Sequence, residues 1–339
     1  MLHIMKKNLT IKEVKLLPRD SNFSTIGIAA RLNRRKDKNN NPFWDMTISD
    51  SSGELEGKVW INSSWWVLQN SERMPINPDI TNLKFEGATV GVQGRVAEFR
   101  DQTQFNFSEI YYLDQNKYPP HVYAKHSPLS VENLEAGFKN MINELGEPLK
   151  EFMNAIFFKH GLWEDYRYWP AAVSLHHAYT GGLLEHSLSV AITSREIARH
   201  YNEFKIPVNL DIVVAGALLH DIGKLDAYTL APVPLVTVEG NVIEHIISGH
   251  HRFMTLAENE NLDKALTLAL AHIIVSHHGR REYGSPVLPA TPEAMIVSAA
   301  DDLDFKLNYW TNQIDALSPQ SNVTDYLPQI DRRLWKGTV

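Results

Sequence analysis

The chain has 339 residues, 43% of them apolar and 22% charged, which is enough for two ordinary domains and too polar for a membrane protein. Its net charge of −7 is unevenly spread: residues 1–120 carry 16 Lys/Arg against 14 Asp/Glu (+2) and the rest 17 against 26 (−9), so bulk charge makes neither part a nucleic-acid magnet. Cysteine is absent, which excludes disulfides, thiolate zinc sites, iron-sulfur clusters and cysteine nucleophiles and restricts any metal to nitrogen and oxygen ligands.

Neither a secretion-type apolar stretch near the start nor an apolar run of about eighteen residues is present, so a soluble, cytoplasmic chain with no membrane contact is expected. From Thr25 to Leu113 apolar residues recur with period two, the pattern of half-buried strands. Loops at Lys36–Pro42 and Asp50–Gly53, and a hairpin near Asp101 and Gln102, divide the segment into four or five short antiparallel strands. A small barrel is the expected fold, because closure removes exposed edges.

Parity then turns Ile28, Trp44, Met46, Val59, Ile61, Val90, Val92 and Val96 inward. Arg31, Phe43, Lys58, Trp60, Arg95 and Phe99 are turned outward, an exposed mixture of aromatic rings and cations suited to single-stranded nucleic acid. The basic run Arg34, Arg35, Lys36 and Lys38 occupies the first hairpin, either as a solvated turn or as a phosphate contact. The proline-bearing stretch 116–130 reads as a linker between a domain at 1–115 and one at 131–317, with 318–339 as a tail.

Beyond Ser130 the period becomes helical, over Leu183 to Tyr201, Leu210 to His220, Leu262 to His278 and Glu293 to Trp310. Histidine is concentrated here, with 11 of the 15 between His176 and His278. The stripe Leu210, Val213, Val214, Ala217 runs on to His220 and Asp221, placing a carboxylate at the buried end of an apolar face, where it needs a cationic partner. Leu183 and Val190 put His186 on a similar stripe, and Leu266, Leu270 and Ile273 do so for His277. Asp301 stands beside the stripe Ile296, Ala300, Leu303, Leu307, with Asp304 one turn later.

Spacing leaves His245 in competition with His250, and His277 with His278. Five or six such ligands exceed one tetrahedral ion, so two divalent cations are expected: Asp221 bridging, His186, His220 and Asp301 on one, His245 and His277 on the other. Mn2+ is the first expectation, with Fe, Ni, Co or Zn as alternatives. A hydroxide shared between the ions would attack phosphorus.

The blocks HHAYTGGLLEHSLSV (His176 to Val190), LLHDIGK (Leu218 to Lys224), EGNVIEHI (Glu239 to Ile246), SHHGRREYGSP (Ser276 to Pro286) and ADDLDFKLN (Ala300 to Asn308) resemble the HD superfamily of metal-dependent phosphohydrolases. More narrowly they are similar to the YhaM-type 3′-5′ exoribonucleases, over about Trp169 to Asn308. The resemblance implies a multi-domain β + α fold, an N-terminal OB-fold barrel followed by an all-α HD bundle. It also implies His186, His220, Asp221, His245, His277 and Asp301 as metal ligands, favouring His245 over His250. Lys224 would assist Asp221 in catalysis by neutralising charge on phosphorus, and His176, His177, His278 and Arg280 would contact phosphate or sugar. The expected activity is 3′-5′ exonucleolytic hydrolysis of single-stranded RNA, or DNA, by a chain that can assemble as a homo-oligomer. The alternatives are a phosphohydrolase of small or cyclic nucleotides, distinguished by turnover of free nucleotides, and a non-catalytic strand-binding protein with structural metals, distinguished by Asp221→Ala changing nothing.

Overall fold

The computed structural model describes residues 8–69, 72–99, 102–127, 129–173, 177–230, 234–318 and 320–337. Contacts divide it into two units, with the boundary between His126 and Ser127. The expected linker holds a single 3-10 turn, Pro120–Val122.

The first unit opens with α1 (Ile11–Lys15), a short helix the sequence reading did not anticipate. It is held by a reciprocal cap in which the Thr10 hydroxyl accepts the Glu13 N–H and the Glu13 carboxylate accepts the Thr10 N–H. The strands are β1 (Asn22–Lys36), β2 (Pro42–Asp50), β3 (Gly53–Gln69), β4 (Glu72–Pro75), β5 (Thr89–Phe99) and β6 (Gln102–Tyr112). They pair in the order β2-β1-β5-β6-β3-β4, and β2 also pairs with β3. Five strands therefore have a neighbour on each side and form a ring, while β4 is an added edge on β3. Only the β3–β6 pairing is parallel. That connectivity is the Greek-key barrel of the OB-fold.

Side-chain alternation fills the barrel with Ile28, Met46, Val59, Val90 and Val92, all fully buried, and with Trp44 and Val96. Gly57 is required where Phe107 crosses the interior, because a Cβ would stand 2.3 Å from that ring. Ile61 departs from the expected parity and is 62% exposed. The β3–β6 register shifts between Val59 and Ser64, which interrupts the alternation at Ile61, and Trp65 resumes the inward place.

The second unit is helical: α2 (Val131–Asn143), α3 (Leu149–Asn154) running into a π turn, α4 (Leu162–Tyr166), α5 (Gly182–Glu203) and α6 (Leu210–Leu219). After these come α7 (Lys224–Ala227), α8 (Val238–Val242), α9 (His245–Asn259), α10 (Lys264–Ser276) and α11 (Pro292–Asp315). Its core is built on α5 and α6, with Phe138, Phe157 and Tyr166 packed as an aromatic wedge. The Tyr166 hydroxyl lies 2.7 Å from Ser187 Oγ on α5 and 2.8 Å from the Leu218 carbonyl on α6, locking together the two helices that carry the first site histidines.

On α11 the expected stripe is corrected. Ile296 and Ala300 are buried, but Leu303 and Leu307 are exposed, because only the first half of the helix packs into the core. The terminal segment is not featureless either, folding back through the bridges Val323–Trp335 and Leu327–Arg332. No described helix is long and apolar enough to cross a membrane.

Candidate metal centre

Helix ends do most of the positioning. His220 and His277 are the C-caps of α6 and α10, Asp221 follows His220, His245 is the first residue of α9, and His186 and Asp301 project from within α5 and α11. The turn after Asp221 lies so close to α9 that a Cβ on Gly223 would stand 2.0 Å from the His245 carbonyl oxygen. Glycine there lets the Asp221 turn and the His245 helix meet.

Asp221 is the centre of the arrangement and is 1% exposed. Its Oδ2 lies 3.3 Å from His186 Nε2 and 3.2 Å from His220 Nε2, and its Oδ1 lies 3.5 Å from both His245 Nε2 and His277 Nε2. Asp301 Oδ1 completes the first side, 3.2 Å from His186 Nε2 and 3.8 Å from His220 Nε2. His278 completes the second, clustered with His245 and His277. One carboxylate thus faces a separate set of imidazoles with each oxygen.

A divalent cation fits this donor set. Among the described residues Asp221 Oδ1, His245 Nε2 and His277 Nε2 are buried without a hydrogen-bond partner, a costly state for three converging polar atoms that coordination would relieve. The opposite ring nitrogens are engaged. Nδ1 of His220 and of His277 each donates to the carbonyl three residues back, Ala217 and Ile274, at 2.7 Å, and Nδ1 of His245 donates to Glu244 at 2.7 Å. These bonds fix the tautomer that presents an Nε2 lone pair inward.

Charge follows the same plan. Burial opposes ionisation of Asp221, but Lys224 and His220 outweigh it and hold the carboxyl well below its usual range. Lys224 Nζ lies 2.5 Å from Asp221 Oδ2, and despite burial that carboxylate keeps the lysine protonated. Burial disfavours a charged His186, yet hydrogen bonds to Asp221, Asp301 and Asp304 raise it well above 6.5. Burial lowers His277, and burial with the neighbouring His277 lowers His278 to about 4, leaving both rings neutral donors at pH 7.

The sequence reading missed the orienting layer. Asp304 Oδ2 accepts from His186 Nδ1 at 2.8 Å, while Ser189 Oγ donates to its other oxygen at 2.5 Å. The signal was available, since Asp304 lies one helical turn beyond Asp301. His177 is 3% exposed, 3.1 Å from Asp304 and 2.8 Å from the Tyr179 hydroxyl, so it braces Asp304, and with Asp304 and Asn308 it lines a cleft. His250 is half-buried on α9 and joins no ligand cluster among the described residues, whereas His245 does. Arg280 is exposed with its guanidinium over the Tyr283 ring, and His176 lies outside the described residues.

On the barrel, Phe43 and Trp60 are partners across β2 and β3, their ring centroids 5.2 Å apart and tilted by 34°. Lys58 Nζ lies 5.1 Å over Phe43, and the Trp60 indole donates to Asn106 at 3.0 Å. Arg31 on the same outer face donates to Thr47. Buried Asp45 holds Arg35 at 2.5 Å and also binds Lys58, so two cations are fixed in one patch. Arg95 is exposed but tied to Asp20 at 2.9 Å, and Phe99 is 58% exposed at the end of β5.

Residues 183–306 match the family model of the HD domain, whose members are generally metal-dependent hydrolases, and this span contains all six expected ligands. The barrel is similar to the second OB-fold domain of replication protein A from Methanococcus maripaludis, at 14% identity and a TM-score of 0.21, covering 31% of this chain and 92% of that one. A murine DNA binding protein bound with double-stranded DNA matches at 17% identity and a TM-score of 0.21, covering 30% of this chain and 43% of the murine one. The barrel's class rests on its own strand pairing. The fold is an N-terminal OB-type barrel followed by a helical HD domain.

Proposed function

We propose that the protein is a metal-dependent phosphodiesterase that removes nucleotides from the 3′ end of single-stranded RNA, with single-stranded DNA as a second substrate, and that it acts in the cytoplasm. The observation that carries this reading is the two-sided Asp221 carboxylate, with imidazoles converging on each oxygen and buried atoms left unpaired. His186, His220 and Asp301 would hold one cation, His245 and His277 the other, His278 adding to the second set, and Asp221 would serve both. When bound, two such cations, Mn2+ first, activate water and offset charge on a phosphodiester.

The chain's own groups do the rest. Asp301 and His278 are less buried than the other donors, which marks the side from which a phosphate enters. Lys224 stays protonated beside Asp221 and supplies a fixed positive charge against the charge that builds on phosphate oxygens. Asp304 holds the His186 ring so that its Nε2 faces the centre. The Phe43–Trp60 pair, with Lys58, Arg35 and Arg31 beside it, would stack bases and track phosphates.

The test is a time course on 3′-labelled and 5′-labelled single strands with Mn2+, run beside Asp221→Ala and a panel of free and cyclic nucleotides. Shortening from the 3′ end that disappears in the variant is expected. Internal cuts, preferred turnover of free nucleotides, or unchanged cleavage by Asp221→Ala would each refute the reading.

A further inference from the structure

We propose that a tryptophan-lined cleft on the barrel, formed where β3 continues into its pairing with β4, is a second nucleobase subsite. It would take one unpaired base of a strand whose neighbouring base stacks on Phe43 and Trp60. The proposal rests on the single-strand reading above and extends it to a surface that the sequence did not mark.

The cleft encloses about 460 Å3, the size of a small-molecule site. Trp44 and Trp65 form its floor, Trp66 and Ile61 its wall, and Pro42 and Pro75 its lip. It exists because the β3 register shifts after Val59, which leaves Ile61 facing out and brings Trp65 and Trp66 to one end of the barrel. Its lining contains no lysine or arginine and includes Asp79, Ser63, Ser64 and Asn77, so it disfavours a phosphate and offers polar partners to the edge of a planar base.

Two arginines contact lining residues instead. The Arg73 guanidinium lies 4.7 Å over the Trp66 ring, and Arg34 reaches Asp79 at 3.0 Å and lies 6.0 Å from the Trp44 ring. An aromatic slot with arginines beside its lining matches a nucleotide, base inside and phosphate outside. The Trp66 indole N–H is shielded from solvent and meets no acceptor among the described residues.

Position ties the cleft to the stacking platform. Pro42 precedes Phe43 and Ile61 follows Trp60, and Phe43 and Trp60 are direct partners in the β2–β3 ladder. Platform and cleft therefore flank one rung of the sheet, and a strand passing over that edge meets both. The basic run beginning at Arg34 lies on the same β1–β2 hairpin, which gives that cluster a role in steering the strand.

The test uses the full chain, without added metal so that the strand stays intact, and fluorescence anisotropy with a labelled twelve-residue oligouridine and with a uridine dinucleotide. Trp66→Ala should weaken the longer strand about 5- to 100-fold, the range for losing one stacked base, and weaken the dinucleotide as well, because its two bases span platform and cleft. Trp66→Phe should recover most of that loss, and Arg73→Gln should lower the salt dependence of binding. Circular dichroism of each variant checks folding. Unchanged oligouridine binding in both Trp66→Ala and Arg73→Gln overturns the subsite alone. Self-association of the wild type that Trp66→Ala abolishes would also overturn it, because a second copy would then cover the cleft. No binding of oligouridine by the wild type defeats the single-strand reading and the subsite together.

Discussion

The helical centre and the barrel face hold their functional groups in opposite ways. At the centre every histidine that points inward has its other nitrogen fixed, His186 by Asp304, His220 and His277 by helix carbonyls, and His245 by Glu244. On the barrel the rings and cations are half-exposed and fixed from one side, Trp60 by Asn106 and Lys58 by Asp45. The difference follows from the work each would do. Coordination and phosphoryl chemistry need donors preorganised in a site that excludes water, where each charge is strong and each unpaired atom costly. Holding successive bases of varying sequence needs tolerant surfaces that release as readily as they bind.

The sharpest way to break this contrast is Asp221→Ala. It strips the buried Lys224 and four imidazoles of their common partner, a loss of about 3–5 kcal/mol of stability for a broken buried pair. Metal content by mass spectrometry and strand hydrolysis should both collapse, while oligouridine binding by the barrel persists. Loss of strand binding in this variant would show that the two regions are not separable.

Asp304→Asn tests whether the orienting layer matters in its own right. Metal affinity should fall about 10- to 100-fold by calorimetry, the usual effect of losing such a partner, with the fold intact. Unaltered affinity would mean that packing alone aligns His186.

On the barrel, Trp60→Ala should weaken single-strand binding by about 1–3 kcal/mol with metal content unchanged, measured on one sample by anisotropy and metal analysis. The smallest effect is expected for Arg31→Gln: a shift of only about 0.7 in the slope of log affinity against log salt if it contacts one phosphate of a single strand. A salt slope identical to wild type would remove Arg31 from the strand path.

The site was legible where periodicity and residue type reinforced each other. The His220–Asp221 pair and His277 stand at the ends of apolar stripes and His186 within one, and an apolar stripe ending in a carboxylate is readable because burial demands compensation. His245 against His250 was not, since both lie on one amphipathic helix and only the approach of Gly223 to the start of α9 decides between them. His177 and Asp304 illustrate the same limit: the sequence marks them as polar groups near ligands, but which one bonds to which depends on distances between α5, α11 and the loop before α5.

By itself the sequence determined the order of a strand-rich part and a helical part, the absence of sulfur ligands, and the set of imidazoles and acids from which a centre could be drawn. These follow from composition and from periods of two and 3.6, which are local properties of the chain. Tertiary structure alone decided that Asp304 meets both His186 and His177, that Ile61 leaves the barrel, and that three tryptophans line one cleft. Each depends on a register shift or a helix crossing, and those are set by how distant segments pack, which no local pattern encodes.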